Sequence, residues 1–207
     1  MSKILKSDIP RLLPVYFLPP LEWWLFNQDG TINLSSGAEK YRKKQFYNRC
    51  LFQSNSGIQL FSIPLRKGKT TQECREVQIA DDEDWKKKLL QMMQTLYGKS
   101  PFYKEYIENI HEVLSVNHLY LYKFNSLLIQ EIASILQISL LENADSEATV
   151  SVIFPDDSPQ DQIIWIDPYL RYLPESFMRY QKLTILDLIF YHGPSAAEFI
   201  QYKTHVY

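Results

Sequence analysis

A basic and aromatic segment in the first third of the chain carries the residue types best suited to binding a charged ligand. Its members are Lys40, Tyr41, Arg42, Lys43, Lys44, Phe46, Tyr47 and Arg49. Guanidinium forks match phosphate and carboxylate groups, and aromatic faces suit bases and sugars. The segment therefore predicts a site for an anionic small molecule, such as a nucleotide sugar. The alternative is a solvated basic face without a ligand.

Strand alternation sets the direction of the side chains that follow this segment. It predicts that Asn48 shares a face with Cys50, while Arg49 points to the opposite face. Asn48 lies among apolar residues, so it must be hydrogen-bonded if it is buried. We expect Asn48 and Tyr41 to orient a substrate. Arg49 and Lys44 would hold its anionic groups. Cys50 is favoured as a buried structural thiol, because a nucleophilic thiol needs an activating base or positive charge.

Asp187 is the one charged residue in the apolar run LTILDLIF, residues 183–190. A carboxylate in such a helix must have a partner or face a cleft. Two roles remain open on this pattern. In the first role, Asp187 is a general base or supports one. In the second role, it is a structural residue that pairs with a buried Arg or caps a strand end.

Composition excludes several classes of site. The 207 residues carry a net charge of −2, which argues against a general nucleic-acid-binding protein. Cys50 and Cys74 lack metal-ligand spacing, and the 6 scattered glycines form no phosphate-binding loop, so no metal and no cofactor are predicted. The apolar run from Leu12 to Phe26 is broken by prolines and is too short to span a membrane. We expect a cytoplasmic protein that is not secreted.

The spacing of apolar residues and the turn residues predict mostly strands in the first third of the chain and helices in its middle. A buried extended segment is expected at 12–18, a hairpin of strands 46–53 and 58–65 around Ser54–Gly57, and a third strand at Glu73–Ile79. Helices are expected at Trp85–Tyr97, from Ser100-Pro101, at His118–Gln137, at Lys182–Tyr191 and from Pro194 to about Tyr202. Further strands are expected at Thr149–Phe154 and Ile163–Ile166.

These elements predict an α+β fold. We expect one mixed domain over residues 1–207, strand-rich over 1–80, helical over 82–138 and mixed over 139–207. In this arrangement a small, mainly antiparallel sheet packs against a layer of helices. The two adjacent residues Trp23 and Trp24 pack in the core, or one of them lines a pocket.

Four segments in order resemble the WbqC-like family, in particular its shorter Bacteroidota-type members. They are PVYFLPPLEWWLF (14–26), EKYRKKQFYNRCLFQSNSGIQLFSIPL (39–65), DWKKKLLQMMQTLYGKSPFYKEY (84–106) and KLTILDLIFYHGPSA (182–196). Their order and spacing agree with the family across nearly the whole chain. The residues Asn48, Arg49, Tyr97, Ser100, Pro101 and Asp187 match its motifs.

The resemblance implies an enzyme of bacterial surface-polysaccharide biosynthesis, that is, of lipopolysaccharide O-antigen. The implied reaction is acyl or aminoacyl transfer to an activated sugar, a small-molecule partner. With the matching motifs, the predicted catalytic residues are Asp187, Asn48 and Tyr97. The predicted substrate-binding residues are Arg49, Tyr41, Lys44 and Ser100.

Three departures from the family pattern keep a second function open. Leu89 stands where the family helix carries a His, Leu170-Arg171 where it has Tyr-Gln, and Tyr191 where it has an Asn. A member that lacks these polar groups would be a non-catalytic binding or scaffold protein of the same pathway, or an inactive member. A third possibility, a cysteine-dependent transferase, needs a His within reach of Cys50. The sequence leaves the oligomeric state open.

Overall fold

A computed structural model describes residues 12–25, 30–68, 72–80, 84–142 and 182–202 of the chain. Its strands are β1 (Leu12–Leu13), β2 (Thr31–Leu34), β3 (Arg49–Ser54), β4 (Gly57–Ser62) and β5 (Ser139–Glu142). Its helices are α1 (Leu21–Trp24), α2 (Trp85–Tyr97), α3 (Tyr103–Ser115), α4 (Leu121–Leu136), α5 (Ile185–His192) and α6 (Pro194–Tyr202). The combination of helices and small sheets agrees with the expected α+β class. The single domain over 1–207 stays a prediction. The strands expected at 149–154 and 163–166 lie outside the described residues, and so does Leu170-Arg171, one of the departures from the family pattern.

The three-stranded sheet is parallel, so the expected mainly antiparallel sheet is wrong here. Its order is β1-β2-β5, and both neighbouring pairs run parallel. The register joins Leu13 to Leu34 and Thr31 to Ser139. Parallel neighbours require a long crossover connection, which the helices α2 to α4 supply between β2 and β5. The first third of the chain therefore does not form this sheet alone.

The hairpin of β3 and β4 confirms the predicted antiparallel pair. Cys50 pairs with Phe61 and Leu51 with Leu60, and the turn is closed where Ser54 meets Gly57. Within β3 the alternation is as expected, since Cys50 is buried while Leu51 is partly exposed. One face of the hairpin thus packs into the core.

The third strand expected at 73–79 is a short 3₁₀ turn, Cys74–Glu76, flanked by single bridges. The carboxylate of Glu76 accepts a hydrogen bond from the backbone N–H of Glu73, and the side chain of Glu73 caps the turn in return. This capping box satisfies local N–H groups that an edge strand would leave to a neighbour. These local hydrogen bonds favour the 3₁₀ turn, although the sequence alternates like a β-strand.

The helices follow their apolar periodicity, with corrections at their ends. Helix α2 spans the predicted residues and is followed by Gly98. Helix α3 begins at Tyr103 rather than at Ser100-Pro101, and α4 begins at Leu121 rather than at His118. Helix α5 begins at Ile185, because Thr184 takes the N-cap position and its hydroxyl accepts a hydrogen bond from the N–H of Leu186.

Trp23 and Trp24 both lie in the core and are fully buried. Each indole N–H reaches a backbone carbonyl, Trp23 to Pro14 at 3.0 Å and Trp24 to Pro19 at 3.3 Å. A buried indole needs such an acceptor. Neither ring lines a surface pocket, so these residues fix the proline-rich segment rather than bind a ligand.

The start of α5 connects the N-terminal segment with the hairpin. The N–H of Thr184 donates to the carbonyl of Leu51 at 2.8 Å, and the N–H of Ile185 donates to the carbonyl of Pro19 at 3.2 Å. At the other end of α5, the carbonyl of Phe190 accepts from the N–H of Phe102 at 3.1 Å. These bonds hold α5 against β3, the proline-rich segment and the start of α3.

Candidate functional site

The central pair of the candidate site is formed by Tyr97 of α2 and Asp187 of α5. The Tyr97 hydroxyl donates a hydrogen bond to Oδ2 of Asp187 across 2.5 Å. Both side chains are almost completely buried. Asp187 lies in the first turn of α5, where the positive end of the helix dipole stabilises a carboxylate. The fold therefore holds an acidic side chain in the core with a phenol fixed against it.

Burial governs the protonation of this pair. Desolvation raises the pKa of Tyr97 far above its ordinary value, and the negative charge of Asp187 raises it further. The phenol therefore stays protonated and remains a hydrogen-bond donor at neutral pH. A short bond from a neutral phenol to a carboxylate is a charge-assisted hydrogen bond, which is stronger than a bond between neutral groups. Chemically, Asp187 can accept a proton and Tyr97 can keep its carboxylate in place.

Cys50 lies on the β3 face directed towards Asp187. Burial raises the pKa of its thiol well above the ordinary value, and the charge of Asp187 adds to this effect. Cys50 and Cys74 are both free and buried. Because the nucleophile in thiol chemistry is the thiolate, a thiol with a raised pKa argues against a cysteine-dependent transferase.

A second cluster centres on Asn48 at the base of the hairpin. Its Oδ1 accepts a hydrogen bond from the Tyr41 hydroxyl at 2.9 Å, and its Nδ2 donates to the carbonyl of Ile63 at 2.8 Å. The N–H of Ile63 donates to the backbone carbonyl of Asn48 at 2.7 Å. The amide is thus bonded on both sides, as expected of a buried Asn, and it fixes Tyr41 to the end of β4.

Arg49 lies beside this cluster on the opposite face of β3 from Cys50. Burial raises the pKa of the Tyr41 hydroxyl, and the positive charge of Arg49 opposes that rise. Arg49 is half-buried, and within the described ranges its buried Nε has no hydrogen-bond partner. A half-buried guanidinium with an unused donor is suited to an anionic ligand group.

The structure groups six of the seven predicted residues into two clusters rather than one, and Lys44 belongs to neither. Asp187 and Tyr97 form the core pair, and Ser100 is joined to it only through the backbone, since its N–H donates to the carbonyl of Tyr97 at 2.7 Å in the described residues. Asn48, Tyr41 and Arg49 form the other cluster.

Lys44 is an exposed residue of the loop before β3. Within the described ranges its side chain makes no hydrogen bond or ion pair, so it is not fixed towards either cluster.

Glu39 is a site residue that sequence reasoning missed. One of its carboxylate oxygens accepts hydrogen bonds from the hydroxyls of Ser35 at 3.0 Å and Tyr47 at 3.3 Å. Burial raises the pKa of Cys74 nearby, and the negative charge of Glu39 raises it further. The sequence signal was an acidic residue at the head of an otherwise basic segment.

Asn125 is a second missed residue. It is fully buried on α4 and donates to the carbonyls of Tyr47 at 2.8 Å and Val15 at 3.2 Å. Its position next to Phe124, on the inward stripe of α4, was the available signal. Asn125 connects α4 to the loop that carries Tyr47 and so supports the position of the second cluster.

The comparison with protein families decides the identity of the chain. The sequence model of the WbqC-like protein family matches residues 16–157. The chain belongs to the WbqC-like protein family. No curated protein and no solved structure matches it.

The matched range of this WbqC-like protein contains the second cluster and Tyr97, whereas Asp187 lies beyond its end. Among the described residues, no group of three or more His, Cys, Asp or Glu side chains could hold a metal ion. Within the same ranges, every helix is too short or too polar to cross a membrane.

Proposed function

We propose that this WbqC-like protein is an enzyme of bacterial surface-polysaccharide biosynthesis that transfers an acyl or aminoacyl group to an activated sugar. The family supports the pathway, and the bond from Tyr97 to Asp187 carries the proposal of a reaction. A carboxylate in the core is costly unless it is well supported, and such groups concentrate at functional sites.

Asp187 would act as the base in this reaction. A hydroxyl or amino group of the sugar attacks the acyl carbon, and its proton passes to the carboxylate of Asp187. The new bond joins the sugar oxygen or nitrogen to the acyl carbon, and the bond to the leaving thiolate or phosphate breaks. Tyr97 keeps the carboxylate oriented, because its own raised pKa makes it a poor proton donor to the leaving group.

Arg49 would hold an anionic group of the activated sugar. It is the half-buried cation whose Nε is unused in the described ranges, and Asn48 and Tyr41 fix the surface beside it. Tyr97 and Asp187 are buried in this structure. The proposal therefore requires that substrate binding opens a path from the Arg49 side of β3 to Asp187.

A transfer assay on Arg49 variants tests this proposal. Nucleotide-linked amino sugars are incubated with a panel of acyl-coenzyme A thioesters and aminoacyl adenylates, and the acylated sugar is detected by its mass. Wild type should form product, and Arg49→Ala should raise KM for the sugar about tenfold, the effect of one charge-assisted contact. Absence of product across the panel, or an unchanged KM in Arg49→Ala, would contradict the proposal.

Leu89 favours a second function, non-catalytic binding in the same pathway. It is fully buried on the face of α2 that also carries Met93 and Tyr97, one helical turn apart from each other. A His at this position, as in the family pattern, would place an imidazole two helical turns from Tyr97. In this chain, Leu89 contributes only an apolar side chain to the core. Under this second function, wild type binds the nucleotide sugar and releases it unchanged in the same assay.

A further inference from the structure

A groove of about 580 Å³ lies on the protein surface, and the residues that line it are not members of the two clusters of the candidate site. Its walls include Arg66, Lys67, Gln72, Arg75, Gln78 and Tyr120. The volume lies within the range of small-molecule sites. The groove thus has the size of a binding site for a compound of one or two rings.

Backbone hydrogen bonds fix the floor of this groove. The N–H of Arg66 donates to the carbonyl of Gln78 at 3.0 Å, and Gln78 forms a β-bridge with Tyr120. On either side of that bridge, Ile79 donates to Leu119 at 2.9 Å, and Leu121 donates to the carbonyl of Val77 at 2.9 Å. Three chain segments are therefore held side by side, and the wall residues have a defined backbone position.

The described wall residues carry an excess of positive charge. In the part of the chain that the structure describes, the exposed side chains of Arg66 and Lys67 have no hydrogen bond and no ion-pair partner. Arg75 is paired with Glu73 at 2.7 Å. Among the described wall residues, Glu76 is the one that is acidic, and its carboxylate accepts a hydrogen bond from the N–H of Glu73 within the capping box. The positive charges of Arg66 and Lys67 therefore remain available to a ligand in the groove.

The other walls supply groups that recognise a sugar. Tyr120 is 42% exposed, and an exposed phenol ring offers an apolar face to a sugar ring. Gln72 and Gln78 add amide groups that can bond hydroxyls in either direction. Gln72 is itself fixed, because its Nε2 donates to the backbone carbonyl of Glu76 at 2.5 Å.

We propose that this groove binds a phosphorylated sugar, with the phosphate on Arg66 and Lys67 and the sugar ring on Tyr120. The shared chemistry is a saccharide that carries phosphate, whether as a sugar monophosphate or as a nucleoside diphosphate sugar. The walls do not include Arg49, Tyr97 or Asp187. Binding in the groove therefore does not depend on the transfer reaction proposed above.

Titration calorimetry on the whole chain tests the groove. The probes are glucose 1-phosphate, uridine diphosphate glucose, glucose and inorganic phosphate. Wild type should bind at least one of the two phosphorylated sugars. The one that binds more tightly shows whether the groove prefers a sugar monophosphate or a nucleoside diphosphate sugar. Arg66→Ala and Lys67→Ala should each weaken that affinity about tenfold, as expected for loss of a charge-assisted contact. Tyr120→Ala should weaken binding of the sugar phosphate but leave the weaker binding of inorganic phosphate unchanged.

Two matched variants control for the location of the bound sugar phosphate. Lys104→Ala removes one exposed positive charge on α3, outside the groove, and should keep the wild-type affinity. Arg49→Ala separates the groove from the second cluster, since a loss of binding in Arg49→Ala with none in Arg66→Ala would assign the ligand to the Arg49 cluster and overturn the proposal. Failure of wild type to bind either phosphorylated sugar, or equal affinity for glucose 1-phosphate and inorganic phosphate, would overturn it too. Circular dichroism confirms that each variant is folded.

Discussion

The hydroxyl of Tyr97 donates a hydrogen bond to Oδ2 of Asp187 across 2.5 Å, and this contact joins α2 to α5 inside the core. Helix α5 is held by backbone bonds to Leu51 and Pro19 at its start and to Phe102 at its end. The position of the carboxylate therefore depends on several parts of the chain at once. Removing single partners should show which contacts stabilise the fold and which serve the reaction.

Tyr97→Phe should lower the free energy of unfolding by about 1–3 kcal/mol, because the buried carboxylate of Asp187 loses a charge-assisted donor. Urea unfolding monitored by circular dichroism measures this change. Tyr191→Phe is the matched control, since Tyr191 is 41% exposed on the same helix as Asp187 and should cost about 0.5 kcal/mol or less. Equal stabilities of the two variants would show that the hydrogen bond contributes nothing.

Alkaline pH should destabilise the protein through its buried tyrosines. Burial, with the negative charge of Glu142, raises the pKa of Tyr122 to about 12, and burial raises the pKa values of Tyr47 and Tyr97 further. These folded-state values lie above the ordinary value of about 10, so the stability they contribute is complete below about pH 10. It is lost as the pH rises above that value, because only the unfolded chain then releases the phenolic protons.

Urea unfolding at a series of pH values, with tyrosinate absorbance recorded in parallel, checks this expectation. The free energy of unfolding should fall between about pH 10 and pH 12, and tyrosinate should appear together with unfolding. The slope should be smaller in Tyr97→Phe, which removes one of the responsible groups. A constant stability across this range would contradict the assigned pKa shifts.

Asn48→Ala should destabilise the hairpin, because the variant leaves the carbonyl of Ile63 and the hydroxyl of Tyr41 without their partner. We expect a loss of about 2 kcal/mol in the free energy of unfolding for one buried and one partly buried hydrogen bond. Gln59→Ala, at an exposed position of β4, is the control and should change stability by about 0.5 kcal/mol or less. A small effect of Asn48→Ala on stability, together with a large effect on sugar affinity, would instead place Asn48 in direct contact with the ligand.

Gly193→Ala should be strongly destabilising for two reasons. Gly193 has φ +54°, and a Cβ atom there would lie 2.5 Å from the ring of Phe102. Gly30 has φ +74°, and no atom of the described residues lies within 4 Å of the same position, so Gly30→Ala measures the effect of a positive φ without such a contact. We expect Gly30→Ala to lower the free energy of unfolding by about 1–2 kcal/mol. Gly193→Ala should lower it by about 2 kcal/mol more, because the ring of Phe102 must also move. Thermal unfolding of the two variants gives the comparison, and equal losses would mean that Phe102 adapts without cost.

The hairpin and α2 could be predicted because their signals are local. Cys50 and Phe52 alternate with Leu51, and Leu89, Met93 and Tyr97 recur once per helical turn. The parallel sheet could not be predicted in this way. Its strands β1 and β5 have two and four residues, and Thr31 pairs with Ser139 across a stretch of chain that contains α2, α3 and α4. The 3₁₀ turn at Cys74–Glu76 was missed because a capping box outweighed the strand propensity of the segment.

The candidate site shows the same division between local and long-range signals. Asn48, Arg49 and Asp187 were detectable individually, because each is a polar residue in an apolar element. Their grouping was not, since the partner of Asp187 lies ninety positions earlier at Tyr97 and no spacing rule connects them. The groove beside Tyr120 was equally hidden, because bridges between three separate segments bring its walls together.

The transfer rate of Asp187→Asn decides whether Asp187 takes the proton from the attacking sugar. The variant keeps the size of the side chain but removes its basicity, while Glu198→Gln, an exposed site on α6, makes the same chemical change outside the site. With acylated sugar measured by mass, kcat should fall at least about a hundredfold in Asp187→Asn and stay unchanged in Glu198→Gln. Sugar affinity should remain near wild type in both. An Asp187→Asn protein that is folded and forms product at the wild-type rate would contradict the role of Asp187 as the base.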